Sequence, residues 1–481
     1  MTMNLRALLD APMVPDIVVG DLVLDSRQVK PGDAFVAMPG SEKDGRQYIS
    51  AAFERGASAV LCEAEGAPEQ GDSPIVPLPA LRSRLGALAN RFYGSPSEAL
   101  TLIAVTGTNG KTSVVDLTAQ MLRHVGHKVG SIGTLGARLN QAPVETGNTT
   151  PDCLALHRQL RDWRDKGVRV VTLEASSHAL DQGRLDGLSV DTGLFTNLSR
   201  DHLDYHPSMQ AYCDAKLKLF RDFNLARRIY NADDDMISQY ADVWSEGGIG
   251  ISVSSRLGEV WFEVCHTAPL LVAVSTPWGD GELKSTLSGR FNAFNLVAAL
   301  TVTLASGVPF SDALSAAEAA LPVAGRLQTV DDASDITVII DYAHTPDALA
   351  RALSALAESD RCGRLWVLFG CGGDRDRGKR AEMGEVACRF ADRVVITSDN
   401  PRSEAPDSII EDILEGCGDC APLVEVDRAA AIAFAVSQAH AGDTVLIAGK
   451  GHETYQEVAG VRSPFSDADC AAAQLLQRRA A

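Results

Sequence analysis

Six consecutive residues, Gly107-Thr108-Asn109-Gly110-Lys111-Thr112, have the types and spacing that phosphate binding needs. Glycines let the backbone turn so that several N–H groups converge on one phosphate chain, and a following helix adds its positive N-terminal end. Lys111 supplies a cation for the β- and γ-phosphates of ATP, and the Thr112 hydroxyl is a ligand suited to Mg²⁺. The general pattern G-x-x-x-x-G-K-[ST] has its first glycine at position 105, where this chain has Val105. The loop is therefore a shortened T-G-T-N-G-K-T form.

Other clusters follow apolar runs. Glu174-Ala175-Ser176-Ser177-His178 comes directly after a run ending at Leu173. A carboxylate at the C-terminal end of a parallel strand faces the usual ligand crevice, so Glu174 is a candidate Mg²⁺ ligand; alone, the pattern would cap a helix. The stretch 196–206 packs Asp201, His202, Asp204 and His206 together. It reads either as a solvated loop or as a second metal or phosphate site with His202 as ligand. Asp341-Tyr342-Ala343-His344-Thr345-Pro346-Asp347 opens a helix at Pro346, and Asp341 is placed to accept hydrogen bonds from a ribose or base. Three further charged loops, 371–380, 399–402 and 449–453, each follow a short apolar run. Three such loops at strand ends are expected to line one crevice.

The elements that must position these residues are legible in outline. The run 100–105 is a continuous apolar strand, and Val114, Val115, Leu117, Met121, Leu122 and Val125 then recur at helical spacing up to Gly126. Strands are predicted at 168–173 and 191–197, which makes the middle of the chain a doubly wound α/β domain. Short apolar runs at 34–37 and 59–62, with a helix-like stretch from Tyr48, indicate a small mixed α/β domain before it. After Gly325-Arg326, strands at 336–340, 365–369, 394–397 and 444–448 alternate with helices such as 346–356, the rhythm of a Rossmann-like parallel sheet. With 481 residues the chain exceeds one hydrophobic core. Gly94-Ser95-Pro96 interrupts regular structure as a linker, and the expected domains are 1–97, 98–326 and 327–481.

The formal net charge of −19 opposes binding to nucleic acid and to anionic membrane surfaces. No run of eighteen apolar residues and no leader pattern is read, so no membrane insertion is expected. Ten scattered cysteines, with Cys417 and Cys420 as a lone C-x-x-C, read as thiols in a reducing compartment, the cytoplasm.

In order, T-G-T-N-G-K-T, E-x-S-S-H, N-L-S-R-D-H-L-D-Y-H, G-R-F-N-x-x-N at 289–295, D-Y-A-H-T-P-D and G-K-G-H-E resemble the Mur ligases, the ATP-dependent amide-forming enzymes of peptidoglycan precursor synthesis. The resemblance runs along essentially the whole chain. Within the family the chain looks like the ligases that extend UDP-N-acetylmuramoyl-L-alanyl-D-glutamate by one diamino acid. The G-C-G-G-D-R-D run and Asp399-Asn400-Pro401-Arg402 point there. D-N-P-R implies meso-2,6-diaminopimelate rather than L-lysine, because its extra carboxylate suits a guanidinium fork.

The resemblance implies an N-terminal domain that holds uridine diphosphate, a central ATPase and a C-terminal Rossmann-like domain. By motif, Leu24 and Ser26 meet the uridine. Asn109, Thr149, Thr150, Ser176, Gln182 and Arg184 hold the muramoyl-peptide. Asn292, Arg326 and Asp341 join the loop 107–112 in contacting ATP. Arg375, Asp399, Asn400, Arg402, Gly449 and Glu453 hold the diamino acid. Lys216 matches a lysine that the family carries as a carbamate (N6-carboxylysine), and the implied Mg²⁺ ligands are Thr112, Glu174, His202 and carbamylated Lys216. Lys111, Lys216, His202 and Glu174 are the implied catalytic residues. At Ser41 some relatives have histidine. A monomer acting on small molecules is expected, closing about hinges near residues 95 and 326. The alternatives are the L-lysine-adding ligase, folylpolyglutamate synthase and a P-loop switch protein.

Overall fold

A computed structural model describes residues 2–40, 43–68, 74–139, 142–144, 146–245, 247–253, 257–267, 269–330, 334–358 and 362–480, with backbone alone at 142 and 143. Ser41 lies outside the described residues. The chain divides into two compact units: Met1–Ala104 with His127–Gly193 and Ala215–Ala226, and Val105–Gly126 with Leu194–Asp214 and Arg227–Ala481.

In the first unit, strands Leu22–Val23, Ala34–Ala37, Ala59–Glu63 and Ile75–Leu78 pair in parallel, in chain order. Strand side chains alternate between faces, and both faces here are covered. Ala34, Val36, Ala59 and Leu61 enter one core with Leu85 and Phe92. Phe35, Ala37, Val60 and Cys62 enter another with Ile49 and Ala52. The helix expected from Tyr48 is a 3-10 turn, Gly45–Tyr48, continued by the α-helix Ile49–Glu54. Helix Leu81–Tyr93 stops at Gly94, and a 3-10 turn, Pro96–Ala99, begins two residues later. The same unit holds the parallel pair Val129–Gly133 and Val170–Glu174, with Gly136–Leu139 antiparallel to the former.

In the second unit, helix Lys111–His124 follows the strand Thr101–Thr106, whose last two residues belong to this unit. Helix Arg290–Ala305 is buried from Leu296 through Ala305, as a helix apolar on all sides must be. Arg227–Asn231, Gly248–Val253 and Val260–Thr267 pair in parallel, and Leu270–Thr276 and Gly279–Ser285 continue as an antiparallel meander that the sequence reading had not anticipated. The last third forms a six-stranded sheet in the order Gln328–Thr329, Thr337–Asp341, Thr444–Ala448, Leu365–Phe369, Arg393–Ile396, Leu423–Val424. All its pairings are parallel except the first.

Left-handed backbone falls beside both expected boundaries, at Ser95 (φ 46°) and Leu327 (φ 42°). Such conformations are unfavourable for non-glycine residues and persist where the surroundings impose them. No described helix is long and apolar enough to cross a membrane, and the described cysteines form no disulfide.

Candidate active site

The phosphate loop needs its glycines for space as much as for backbone angle. Gly107 has φ 141° and Gly110 φ 86°; a Cβ on Gly107 would lie 1.9 Å from Thr196 Oγ1, and one on Gly110 2.6 Å from Asn295 Oδ1. Val105 lies inside the strand and is fully buried, so the shortened loop starts after a position that needs a side chain for packing. The loop is propped by the segment 196–199. Thr196 Oγ1 donates to the Asn109 carbonyl at 2.6 Å, and Asn197 Oδ1 accepts from the Asn109 N–H at 2.9 Å. Thr108 Oγ1 donates to the Ser199 carbonyl and accepts from its N–H. These props were not singled out from the sequence, although the motif N-L-S-R contains most of them.

The Lys111 ammonium lies 2.8 Å from the carbonyls of both Gly107 and Thr108, which holds its charge over the loop. Arg326 donates to Thr112 Oγ1 at 3.0 Å and stacks on the Tyr342 ring. Asn109 Nδ2 donates to Asp347 Oδ2 at 2.8 Å, a tie to the D-Y-A-H-T-P-D segment. Asp341 is buried and accepts from the backbone N–H of Leu327 at 2.7 Å and of Ala343 at 2.8 Å. Burial pushes its carboxyl above the ordinary range, against the pull of Arg326 and those two donors.

A cavity of about 650 Å³ opens beside Asn109 and Gly110, walled by Asn231, Asp234, Phe291, Phe294, Asn295 and Arg351 among others. Asn292 is buried and donates to the Ser288 carbonyl, while Asn295 is on the cavity wall. The aromatic and acidic wall residues were missed in the sequence. Phe291 and Phe294 fall within the G-R-F-N-x-x-N motif, whereas Asp234 lies outside every motif singled out.

His202 has left-handed backbone (φ 54°) and an imidazole 3.4 Å from Asp201. Asp201 is buried and also faces Lys379 at 3.7 Å and His344 at 3.9 Å. Burial works to raise the Asp201 carboxyl, but His202, Lys379 and His344 outweigh it and hold it well below the usual range. His344 is pushed down to about 4, by burial first and then by Lys379.

The first unit gathers Glu174 with most of the residues expected to meet the muramoyl-peptide. Glu174, at a strand end, accepts from the Thr134 N–H at 2.8 Å and its hydroxyl at 3.1 Å. Thr149 Oγ1 is 3.4 Å from Thr134 Oγ1, and Thr150 donates to the Glu174 carbonyl at 2.6 Å. Arg184 donates to the Thr150 carbonyl at 2.7 Å and clasps Gln182 Oε1. Ser176 caps the short helix Ser177–Asp181. Leu24 and Ser26 are on the turn after strand Leu22–Val23, Ser26 buried at the start of a 3-10 turn. Lys216, on helix Met209–Arg221, is 1 % exposed.

The three charged loops at the C-terminal sheet meet. Asn400 Nδ2 donates to Glu453 Oε2 at 2.9 Å, and the fully buried Lys450 donates to Asn400 Oδ1 at 3.0 Å and Glu453 at 3.1 Å. Asp399 faces Lys450 at 3.7 Å, and a Cβ on Gly449 would lie 2.6 Å from Asp399 Oδ2. Burial raises the Asp399 carboxyl, opposed by Arg428 and Lys450. Arg402, half-buried with φ 52°, donates through Nη1 to the Gly373 carbonyl at 2.8 Å. Arg375 is exposed on the neighbouring loop. Lys450 was read only as part of a motif, with no role given. Among the described residues no group of three or more His, Cys, Asp or Glu side chains forms a metal cluster.

Three family matches cover this arrangement: residues 20–93 match the Mur ligase family catalytic domain, 105–303 the Mur ligase middle domain, and 325–451 the Mur ligase glutamate ligase domain. A protein of Chromobacterium violaceum named UDP-N-acetylmuramoyl-L-alanyl-D-glutamate--2,6-diaminopimelate ligase is 46% identical over 92% of this chain and 91% of its own length. One of the same name from Pseudomonas aeruginosa is 46% identical over 94% of each chain. A solved structure of a ligase with that name superposes with a TM-score of 0.69 at 34% identity, covering 100% of both chains.

Proposed function

Since the chain belongs to the Mur ligase family, with that family's three-domain α/β fold, we propose that it joins meso-2,6-diaminopimelate to the D-glutamyl γ-carboxylate of UDP-N-acetylmuramoyl-L-alanyl-D-glutamate. The reaction consumes ATP, releases ADP and phosphate, and belongs to peptidoglycan precursor synthesis in the cytoplasm. The observation that carries the specificity is Arg402: Gly373 anchors one end of its guanidinium beside the joined loops of Asp399, Asn400 and Glu453. The names of the Chromobacterium and Pseudomonas relatives agree with this reading. The domain bounds we assign are 1–97, 98–326 and 327–481, and a monomer suffices because one chain carries every motif.

The γ-carboxylate oxygen attacks the γ-phosphorus of ATP. A C–O–P linkage forms as the bond to ADP breaks. The loop 107–112 holds the phosphates by backbone N–H groups, with Lys111 as the cation and the 650 Å³ cavity as the seat of the adenosine. The diamino acid's amine then attacks the acyl carbon, its C–N bond forms, phosphate leaves and the nitrogen gives up a proton. Arg375, Asp399, Asn400, Arg402, Gly449 and Glu453 orient that amine; Thr149, Thr150, Ser176, Gln182 and Arg184 orient the acceptor. Positioning of this kind accounts for much of the rate.

Thr112 and Glu174 present oxygen donors, the chemistry that Mg²⁺ prefers, and His202 and a carbamylated Lys216 complete the proposed ligand set. Mg²⁺ there would neutralise the phosphate oxygens. A lysine 1 % exposed as a free ammonium would repel the metal, whereas its carbamate is an anion. The test is ADP release measured with each substrate omitted in turn. ADP is expected only when ATP, UDP-muramoyl-dipeptide and diaminopimelate are all present; release without the last two would overturn the ligase assignment.

A further inference from the structure

The two loops assigned to the diamino acid, 399–402 and 449–453, leave strands that do not pair with each other. Strand Thr444–Ala448 and strand Arg393–Ile396 are separated by Leu365–Phe369. No ladder hydrogen bond therefore joins Ser398 directly to Ala448, the residues immediately before Asp399 and Gly449. One side chain spans these two residues, in addition to the direct ties of Asn400 to Glu453 and of Lys450 to Asn400 farther along the loops. Arg428, at the start of helix Arg428–Gln438, donates through Nη2 to the Ala448 carbonyl at 2.9 Å and through Nη1 to the Ser398 carbonyl at 3.3 Å. Its other edge is gripped by Asp467, on helix Asp467–Ala480: Nε to Oδ1 and Nη2 to Oδ2 are both 2.7 Å. Both side chains are fully buried.

A buried ion pair is weak evidence for stability, because desolvating two charges offsets most of their attraction. What this pair supplies is geometry. The planar guanidinium has its donors in a fixed fork, and Asp467 takes up one edge so that the remaining N–H groups can point only toward the strand ends. We infer that Arg428, locked by Asp467, is a positioning residue that sets the separation of the two loops and thereby the site for the diamino acid. It touches no substrate and acts through Asp399, Asn400 and Glu453. The inference rests on the assignment of those loops to diaminopimelate.

The test replaces the pair by apolar side chains of similar volume, Arg428→Met with Asp467→Leu, an exchange that buried ion pairs often tolerate without loss of stability. Two measurements are made on the folded variant. Amide hydrogen exchange in 398–402 and 448–453 is expected to quicken, and the KM for diaminopimelate to rise by roughly ten- to a hundredfold, with the KM for ATP near the parent's. Should the double variant not fold, Arg428→Lys, which keeps a cation but loses the fork, is measured in the same way. A folded variant in which either loop exchange or the diaminopimelate KM stays at the parental value overturns the inference. If the parent protein does not use diaminopimelate at all, the proposed function fails, and the loop exchange alone then decides whether the clamp exists.

Discussion

Arg402→Ala isolates the contact on which, in the proposed assignment, amino-acid choice depends. Among the described residues Arg402 forms no ion pair, and its side-chain hydrogen bonds use only Nη1, to Gly373 O at 2.8 Å and weakly to Asn400 O at 3.5 Å. Nε and Nη2 remain for a carboxylate, which matches the bidentate geometry of a guanidinium. Charge-assisted hydrogen bonds contribute about 1.5–3 kcal/mol. For a half-buried pair lost together, about 2–3 kcal/mol is reasonable, or roughly 30- to 150-fold in apparent affinity. The left-handed backbone at Arg402 is as awkward for alanine as for arginine, so the change reports on the side chain.

The assay is phosphate release with one substrate varied and the others saturating. We expect the KM for diaminopimelate to rise by that factor while those for ATP and the UDP-linked acceptor stay put. Any turnover of L-lysine, which lacks the distal carboxylate, should not fall, so discrimination between the two amino acids narrows. Arg402→Lys, with charge but no fork, should lie between. Equal losses for diaminopimelate and lysine, or a matching rise in the KM for ATP, would show that Arg402 holds the loop rather than the substrate's carboxylate.

Two further outcomes are expected. Lys216→Ala should abolish turnover, with partial recovery on adding formate or acetate as a substitute for the carbamate; no recovery would count against that role. In the C-terminal domain, Glu404 is held low first by its hydrogen bond from Arg380, and Asp412 first by that from Arg377. Below the ordinary carboxylate range the unfolded chain takes up protons that these folded carboxylates refuse, so stability falls as pH drops through their lowered values. Thermal melts from neutral to acid pH should show a shallower acid limb for Glu404→Gln with Asp412→Asn than for the parent, and coincident limbs would refute the linkage.

What the sequence made legible is what is local. The loop 107–112 could be read because its glycines meet a backbone demand within a few residues, and strands 365–369 and 444–448 because parallel strands buried on both faces are short apolar runs. The contacts that were missed span long separations. Asn109 meets Asp347 238 positions away, and the props at 196–199 reach back about ninety. Arg428 begins an alanine-rich helix like any other, and nothing near it in sequence announces Asp467. The meander 270–285 escaped because alternating polar residues beside a turn at Gly279 give a weaker signal than a continuous apolar run. The reading of Asn109 as a substrate contact now has to include its bond to Asp347, which the muramoyl-peptide would have to share or displace.

In the proposed assignment, charge explains why selection falls to the loops around Arg402. The chain carries −19 overall, yet ATP and the UDP-linked acceptor are anions and the diamino acid presents a carboxylate at each end. Long-range attraction therefore does not favour them. Arg380, Arg428 and Lys450 are among the largest fully buried side chains. Arg380 is matched by Glu404 and Asp412, Arg428 by Asp467, and Lys450 by Glu453 and Asp399. Those cations shape walls and add little net field. In the amino-acid loops the guanidinium groups of Arg375 and Arg402 form no ion pair among the described residues. A contact made there acts at hydrogen-bond range, well inside the screening length of about 8 Å at physiological salt. Discrimination against lysine should accordingly persist when ionic strength is raised, and this follows only if the distal carboxylate is read by direct contact with Arg402.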